Sequence, residues 1–216
     1  WPENGEEPQH GSGFSMRPEE LPTLSMFAAE ASIGDFPLGE LRLETYPIDD
    51  GVHFDSVETR SELAHLTGSG DWVVIDDNDR SDFDFHLTTE DLGSFLSLFD
   101  IEGQVEGGQT IAALDVGWDG APTDISSDTL EGVIELSIGA GQFPQVSPGA
   151  GRLLGLISLQ AIPRRLALDF SDLVTPGLSF DSINATLQLR GGNAYTKNLT
   201  LQGPSADLEM EGRIGL

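Results

Sequence analysis

Ser182-Ile183-Asn184-Ala185-Thr186-Leu187-Gln188-Leu189-Arg190 carries the pattern that sets the fold: Ile183, Ala185, Leu187 and Leu189 alternate with Asn184, Thr186, Gln188 and Arg190. A period of two puts the two sets on opposite sides of an extended chain, so this stretch predicts a strand with one dry face and one wet face. Gly191-Gly192-Asn193 follows at once and supplies the backbone angles of a tight turn. Beyond it Ala206, Leu208, Met210 and Ile214 oppose Asp207, Glu209, Glu211 and Arg213. Upstream, Leu41 and Leu43 alternate with Glu40, Arg42 and Glu44, and Phe83, Phe85 and Leu87 alternate with Asp82, Asp84 and His86. Asp50-Gly51, Asp119-Gly120 and Gly203-Pro204 mark further turns between such runs. The expected architecture is all-β, an up-and-down antiparallel meander over residues 24–216, preceded by a connecting segment over 1–23. Parallel crossovers would need recurring helices between strands, and the sequence offers only two helical candidates.

The first runs from about Glu90 to Phe99, with Thr89 as N-cap and Leu92, Phe95, Leu96 and Phe99 on one stripe. The second begins with Ser147 as N-cap and Pro148 at the first helical position, spans about 148–158, and cannot continue through Pro163. Leu153, Leu154, Leu156, Ile157 and Leu159 leave it little polar face. A helix so apolar is expected to lie buried across the dry face of the sheet.

Composition removes several classes of function. Asp and Glu number 37 against 10 Lys and Arg, a formal net charge of −27, with Lys197 the single lysine. Nucleic-acid binding needs clustered cations that neutralise phosphates, and docking on an anionic membrane surface needs them too. The acidic excess reads as solvation of the wet face. Cys is 0, so disulfides and thiolate metal sites are out of reach. No apolar run is long enough for a membrane-spanning helix, and no signal-peptide pattern occurs. A first residue Trp1 and a last residue Leu216 inside an alternating run read as a piece of a longer protein.

Catalytic and metal motifs are equally sparse. Asp76-Asp77-Asn78-Asp79-Arg80-Ser81-Asp82 lacks the sixth-position Gly and closing Glu of a calcium loop, and reads as a solvated hairpin loop. His10, His53, His65 and His86 show no zinc spacing. There is no G-x-S-x-G elbow and no Walker loop. No cofactor and no enzymatic activity are expected. A hydrolytic or binding β-domain would require carboxylates and aromatics converging in a cleft, for example around Trp118.

One further run is informative as a whole: Ser147-Pro148-Gly149-Ala150-Gly151-Arg152-Leu153-Leu154-Gly155-Leu156-Ile157-Ser158-Leu159-Gln160-Ala161-Ile162-Pro163-Arg164-Arg165-Leu166-Ala167-Leu168-Asp169-Phe170, followed by Phe180-Asp181-Ser182-Ile183. Together with Arg17-Pro18-Glu19-Glu20-Leu21-Pro22, Gly68-Ser69-Gly70-Asp71-Trp72, Asp91-Leu92-Gly93-Ser94-Phe95-Leu96, Gly203-Pro204-Ser205-Ala206 and Met210-Glu211-Gly212, it resembles the late periplasmic part of the YhdP-type AsmA-like family of Gram-negative envelope proteins. These motifs cover nearly the whole chain in the family's order.

The resemblance implies an elongated, curled sheet forming an open groove. It also implies intermembrane phospholipid transport in support of outer-membrane lipid homeostasis and the permeability barrier. The implied setting is the periplasm, with the full-length protein anchored in the inner membrane and reaching both membranes through parts lying elsewhere. There Asn184-Ala185-Thr186 and Asn198-Leu199-Thr200, which match the glycosylation acceptor pattern, would be idle. The expected groove wall is Leu41, Leu43, Leu166, Leu168, Phe170, Ile183, Leu187, Leu189, Leu199 and Leu201. Arg164 and Arg165 either meet a lipid phosphate, or answer the helix dipole and neighbouring carboxylates. The helix at 148–158 either gates the groove or plugs it. The rival reading is a structural envelope domain whose apolar face is packed core.

Overall fold

The computed structural model describes residues 17–33, 36–98, 105–144, 178–204 and 207–216. The expected second helix, Phe99, Arg164, Arg165, Leu166, Leu168 and Phe170 lie outside the described residues.

Ten strands form one antiparallel sheet in the order β1 (Leu24–Ile33), β2 (Phe36–Ile48), β3 (Gly51–Arg60), β4 (His65–Ile75), β5 (Asn78–Thr89), β7 (Thr110–Asp119), β8 (Glu131–Ile138), β11 (Ser182–Arg190), β12 (Asn193–Gln202) and β13 (Asp207–Gly215). The edges β1 and β13 do not pair with each other, so the sheet is an open meander rather than a barrel. A second sheet of three short strands has the order β10 (Leu178–Phe180), β9 (Gly141–Phe143), β6 (Glu106–Gly107). The helix α1 (Leu92–Ser97) lies against β6.

Two hairpins turn on residue pairs that both take left-handed angles, Asp76-Asp77 between β4 and β5 and Gly191-Gly192 between β11 and β12. Such pairs match the twist of the flanking strands. The Asp-rich segment is therefore a two-residue turn, with β5 already under way at Asn78. At Asp50-Gly51 the two residues do different work. Asp50 adopts the positive φ of 61°, while Gly51 is the first residue of β3. Glycine is needed there because a Cβ would overlap the carbonyl oxygen of Trp72 on β4. The turn expected at Asp119-Gly120 is instead a loop over 120–130.

The helix near residue 90 is shorter than its stripe suggested, and its N-cap is Asp91 rather than Thr89. The Asp91 carboxylate accepts the Ser94 N–H at 2.9 Å. Thr89 closes the preceding turn, its hydroxyl donating to the Asp91 carbonyl at 3.1 Å and accepting the Asp91 N–H at 3.2 Å. A carboxylate whose residue already has extended backbone is the better acceptor for a free helix N–H.

Candidate functional site

Strand pairing aligns the apolar residues into rows that cross the sheet. One row runs Met26, Leu43, Val57, Gly68, Phe85, Leu114, Ile134, Leu187, each the direct partner of the next from β1 to β11. A parallel row, two residues along each strand, runs Ala28, Leu41, Thr59, Leu66, Leu87, Ala112, Leu136, Ala185. Because side chains alternate between faces, both rows lie on the same face. No charged residue occupies either row.

Packed clusters flank these rows along the strand direction. Toward the β2–β3, β4–β5 and β11–β12 turns lie Val52, Phe54, Trp72, Phe83, Val116, Trp118, Leu189 and Ala194. Phe83 is held between Phe54 and Trp118, with ring centroids 5.3 and 5.6 Å away. The Trp118 indole N–H donates to the Ala121 carbonyl at 3.0 Å, whereas the Trp72 indole N–H is buried without a partner among the described residues. Toward the other end lie Ile138, Phe180, Ile183 and Leu201, joined by Leu92 of α1, Val105, and Phe143 of the small sheet. Between the clusters, Leu41, Leu43, Val57, Leu66, Phe85, Leu87, Leu114, Ile134, Leu136 and Leu187 are only half-buried, while the smaller Thr59, Ala112 and Ala185 of the second row are buried beneath them. The result is a dry strip about two residues wide, running across the strands.

Past Leu187 the strip changes course. Its partner on β12 is Thr196, and Gly212 follows on β13. A register shift on each side of β12 then brings Leu199 opposite Met210. Asn198 holds this irregularity. Its Oδ1 accepts the Thr186 N–H at 2.9 Å and its Nδ2 donates to Thr186 Oγ1 at 3.0 Å, replacing bonds that a bulge removes from the ladder.

The opposite face is charged. Arg80 donates to Asp82 at 2.8 Å and Glu131 at 2.7 Å, with Asp119 at 3.5 Å. His53 Nδ1 lies 2.6 Å from Asp71, and Glu58 accepts from Arg60 at 3.1 Å and pairs with His65 at 3.0 Å. Those two hydrogen bonds, that from Arg60 foremost, hold the Glu58 carboxyl below its ordinary value. Asp115 and Asp119 alternate with Val116 and Trp118 along β7, so they point away from the buried indole. They form no acid pair with Trp118 of the kind a hydrolytic cleft requires. Among the described residues no cluster of His, Asp and Glu could hold a metal ion, and no helix is long and apolar enough to cross a membrane.

Of the expected wall, Leu41, Leu43, Ile183, Leu187, Leu189, Leu199 and Leu201 share the dry face. Ile183, Leu189 and Leu201 are sealed in the clusters at 8, 5 and 5% exposure, and the other four are half-buried. The expected wall left out Val57, Leu66, Phe85, Leu87, Leu114, Ile134 and Leu136, all of which stand in the two rows. Leu114 sits in Ile111-Ala112-Ala113-Leu114, where apolar residues fall on both faces, and Ile134 follows Val133. Local alternation is blurred there, and only cross-strand register recovers the face.

An open antiparallel sheet with one largely apolar face and one charged face defines the class: an all-β open sheet on which the described residues leave a hydrophobic strip half-exposed between packed margins. No solved structure matches the chain. The YhdP protein family model matches residues 2–216, and the chain belongs to that family. It is similar to the intermembrane phospholipid transporter YhdP of Escherichia coli (strain K12), with 30% identity over 155 residues, covering 71% of the chain and 12% of the relative. The chain thus spans about one-eighth of that protein's length.

Proposed function

We propose that this chain forms one section of a passive, non-enzymatic conduit carrying phospholipid between the inner and outer membranes through the periplasm. The acyl chains lie on the dry strip and the headgroup remains in water. The carrying observation is the half-exposed band between two sealed clusters, in a chain whose relative is named for intermembrane phospholipid transport.

The energetics support this reading. A two-chain lipid exposes on the order of 30 methylenes, whose transfer to water costs roughly 24 kcal/mol at about 0.8 kcal/mol each. An apolar path removes most of that barrier. Sliding along rows of similar side chains makes and breaks equivalent contacts, so no catalytic group is needed. From β1 to β11 the unbroken rows cross seven strand spacings, about 34 Å at roughly 4.8 Å each. One acyl chain occupies about half of a ~30 Å bilayer core, roughly 15 Å. The strip therefore exceeds one chain length and can hold a chain throughout a slide. Leu41, Leu43, Leu187 and Leu199 are its proposed contact residues; Ile183, Leu189 and Leu201 support it from the clusters. Arg164 or Arg165 is the proposed headgroup contact, and maintenance of the outer membrane's lipid balance and permeability barrier is the proposed consequence.

The test places a photo-crosslinking residue at Leu187, and separately at the neighbouring Gln188 on the charged face, in the full-length protein in cells. Mass spectrometry then looks for attached phospholipid. Lipid at Leu187 and not at Gln188 is the expected result. No lipid at Leu187, Leu43 or Leu114 would replace the conduit with a structural envelope domain.

A further inference from the structure

Strand side chains normally stand roughly perpendicular to their sheet. Phe85 does not. In the central row its partner on β4 is Gly68, and a Cβ built there would overlap Phe85 Cδ1 and lie 2.9 Å from Cε1. The ring therefore leans across the sheet into the space that a side chain at 68 would fill. Phe83 does the same over Gly70, where a built Cβ would overlap its Cδ1, and the two rings stack 5.2 Å apart at an interplanar angle of 2°.

The two rings differ in what restrains them. Phe83 is 5% exposed and wedged by Phe54 and Trp118. Phe85 is half-buried in the strip, at the border of that cluster, and among the described residues its one ring contact is to Phe83. Its neighbours along the row are aliphatic: Val57 on β3, then Leu114 and Ile134 on β7 and β8. Phe85 is the largest side chain in the row. Standing upright in another staggered rotamer, it would project beyond every neighbour into the path.

We propose that Phe85 is the gating side chain of the dry strip: leaning over Gly68 it leaves the strip clear for an acyl chain, and turned off Gly68 it obstructs passage between the β2 side and the β11 side. This rests on the reading of the strip as a path for acyl chains.

The test uses the full-length protein in cells with a crosslinking residue at Leu43 or at Leu187, on either side of Phe85. The readout is the ratio of phospholipid captured at the two positions. Gly68→Ala fills the space under the ring and is expected to shift the ratio roughly 4- to 15-fold toward the side from which lipid enters, the effect on occupancy of losing one or two methylene contacts. A Cβ at 68 also overlaps the Asp84 carbonyl oxygen, so backbone distortion has to be separated from the ring. The double variant Gly68→Ala/Phe85→Ala keeps that overlap and removes the ring, and it is expected to restore the original ratio. Phe85→Trp leaves Gly68 intact, enlarges the ring, and is expected to shift the ratio in the same direction as Gly68→Ala.

An unchanged ratio in Gly68→Ala and Phe85→Trp would overturn the gate while leaving the conduit standing. A double variant as shifted as Gly68→Ala would also overturn it. No lipid at either position in the unaltered protein would overturn the conduit and the gate together.

Discussion

The aromatic cluster near the β4–β5 turn and the strip beside it are built from the same strands, yet one is closed and the other is not. Phe83 and Phe85 show the contrast within three residues of one strand: both face the same side and lie over a glycine, but Phe83 is 5% exposed and Phe85 half-buried. The difference lies in what stands opposite. The cluster is covered by its own aromatics, by Leu21 beside the short helical turn Pro18–Glu20, and by Ala121 and Leu130 of the loop over 120–130. A single sheet face is dry by alternation, but it is buried only where another part of the chain returns to it.

The largest expected effect breaks the contrast directly. Phe83→Ala removes a packed ring and is expected to cost about 3–5 kcal/mol, whereas Phe85→Ala, already partly in water, should cost clearly less. Urea denaturation of the two variants measures the difference, and equal losses would mean that the strip is packed core. Leu189 and Leu187 repeat the test on β11. Leu189→Ala, at 5% exposure, is expected to cost about 2–5 kcal/mol and Leu187→Ala roughly half as much or less.

The two tryptophans sharpen the comparison inside the cluster. Trp118→Phe gives up the hydrogen bond to the Ala121 carbonyl, leaving that acceptor without its donor, and should cost about 1 kcal/mol more than Trp72→Phe, which removes a buried N–H that has no partner among the described residues. A larger loss at Trp72 would point to a bound water or an unrecognised acceptor there. Thermal unfolding of both variants is sufficient.

The smallest effect belongs to the charged face. The Glu58 carboxyl is held below its ordinary value in the folded chain, so its contribution is present at neutral pH and is lost as pH falls through the carboxylate range. Unfolding midpoints of Glu58→Gln and the unaltered protein should therefore differ slightly at neutral pH and converge on acidification. A difference independent of pH would assign the effect to packing. High salt should also shrink it, because the pair with Arg60 is surface-exposed.

The motif order and the alternation along β2, β5, β11 and β13 were legible in the sequence because each is local: a period of two, a turn residue, a glycine. The antiparallel meander and many of the dry-face residues followed from the alternation, whereas the open form of the sheet was implied only by the family resemblance. Less legible were features that depend on neighbours. Thr89 precedes the helix with a sound capping side chain, but it accepts the Asp91 N–H of the preceding turn, and the helix starts late enough for Asp91 to take the Ser94 N–H. Gly51 looked like a turn residue and proves to be a close-contact residue, because nothing in Asp50-Gly51 reveals the Trp72 carbonyl above it. Gly68 likewise carries no sign of the ring that leans over it.

The sequence by itself determined that this chain has one largely apolar face and, where alternation is clean, which residues occupy it, since side-chain direction along a strand follows from the backbone alone. The tertiary structure alone decided how that face divides into sealed margins and a half-exposed strip. Burial is set by what packs opposite, and register across ten strands joins residues far apart in the chain into a single row.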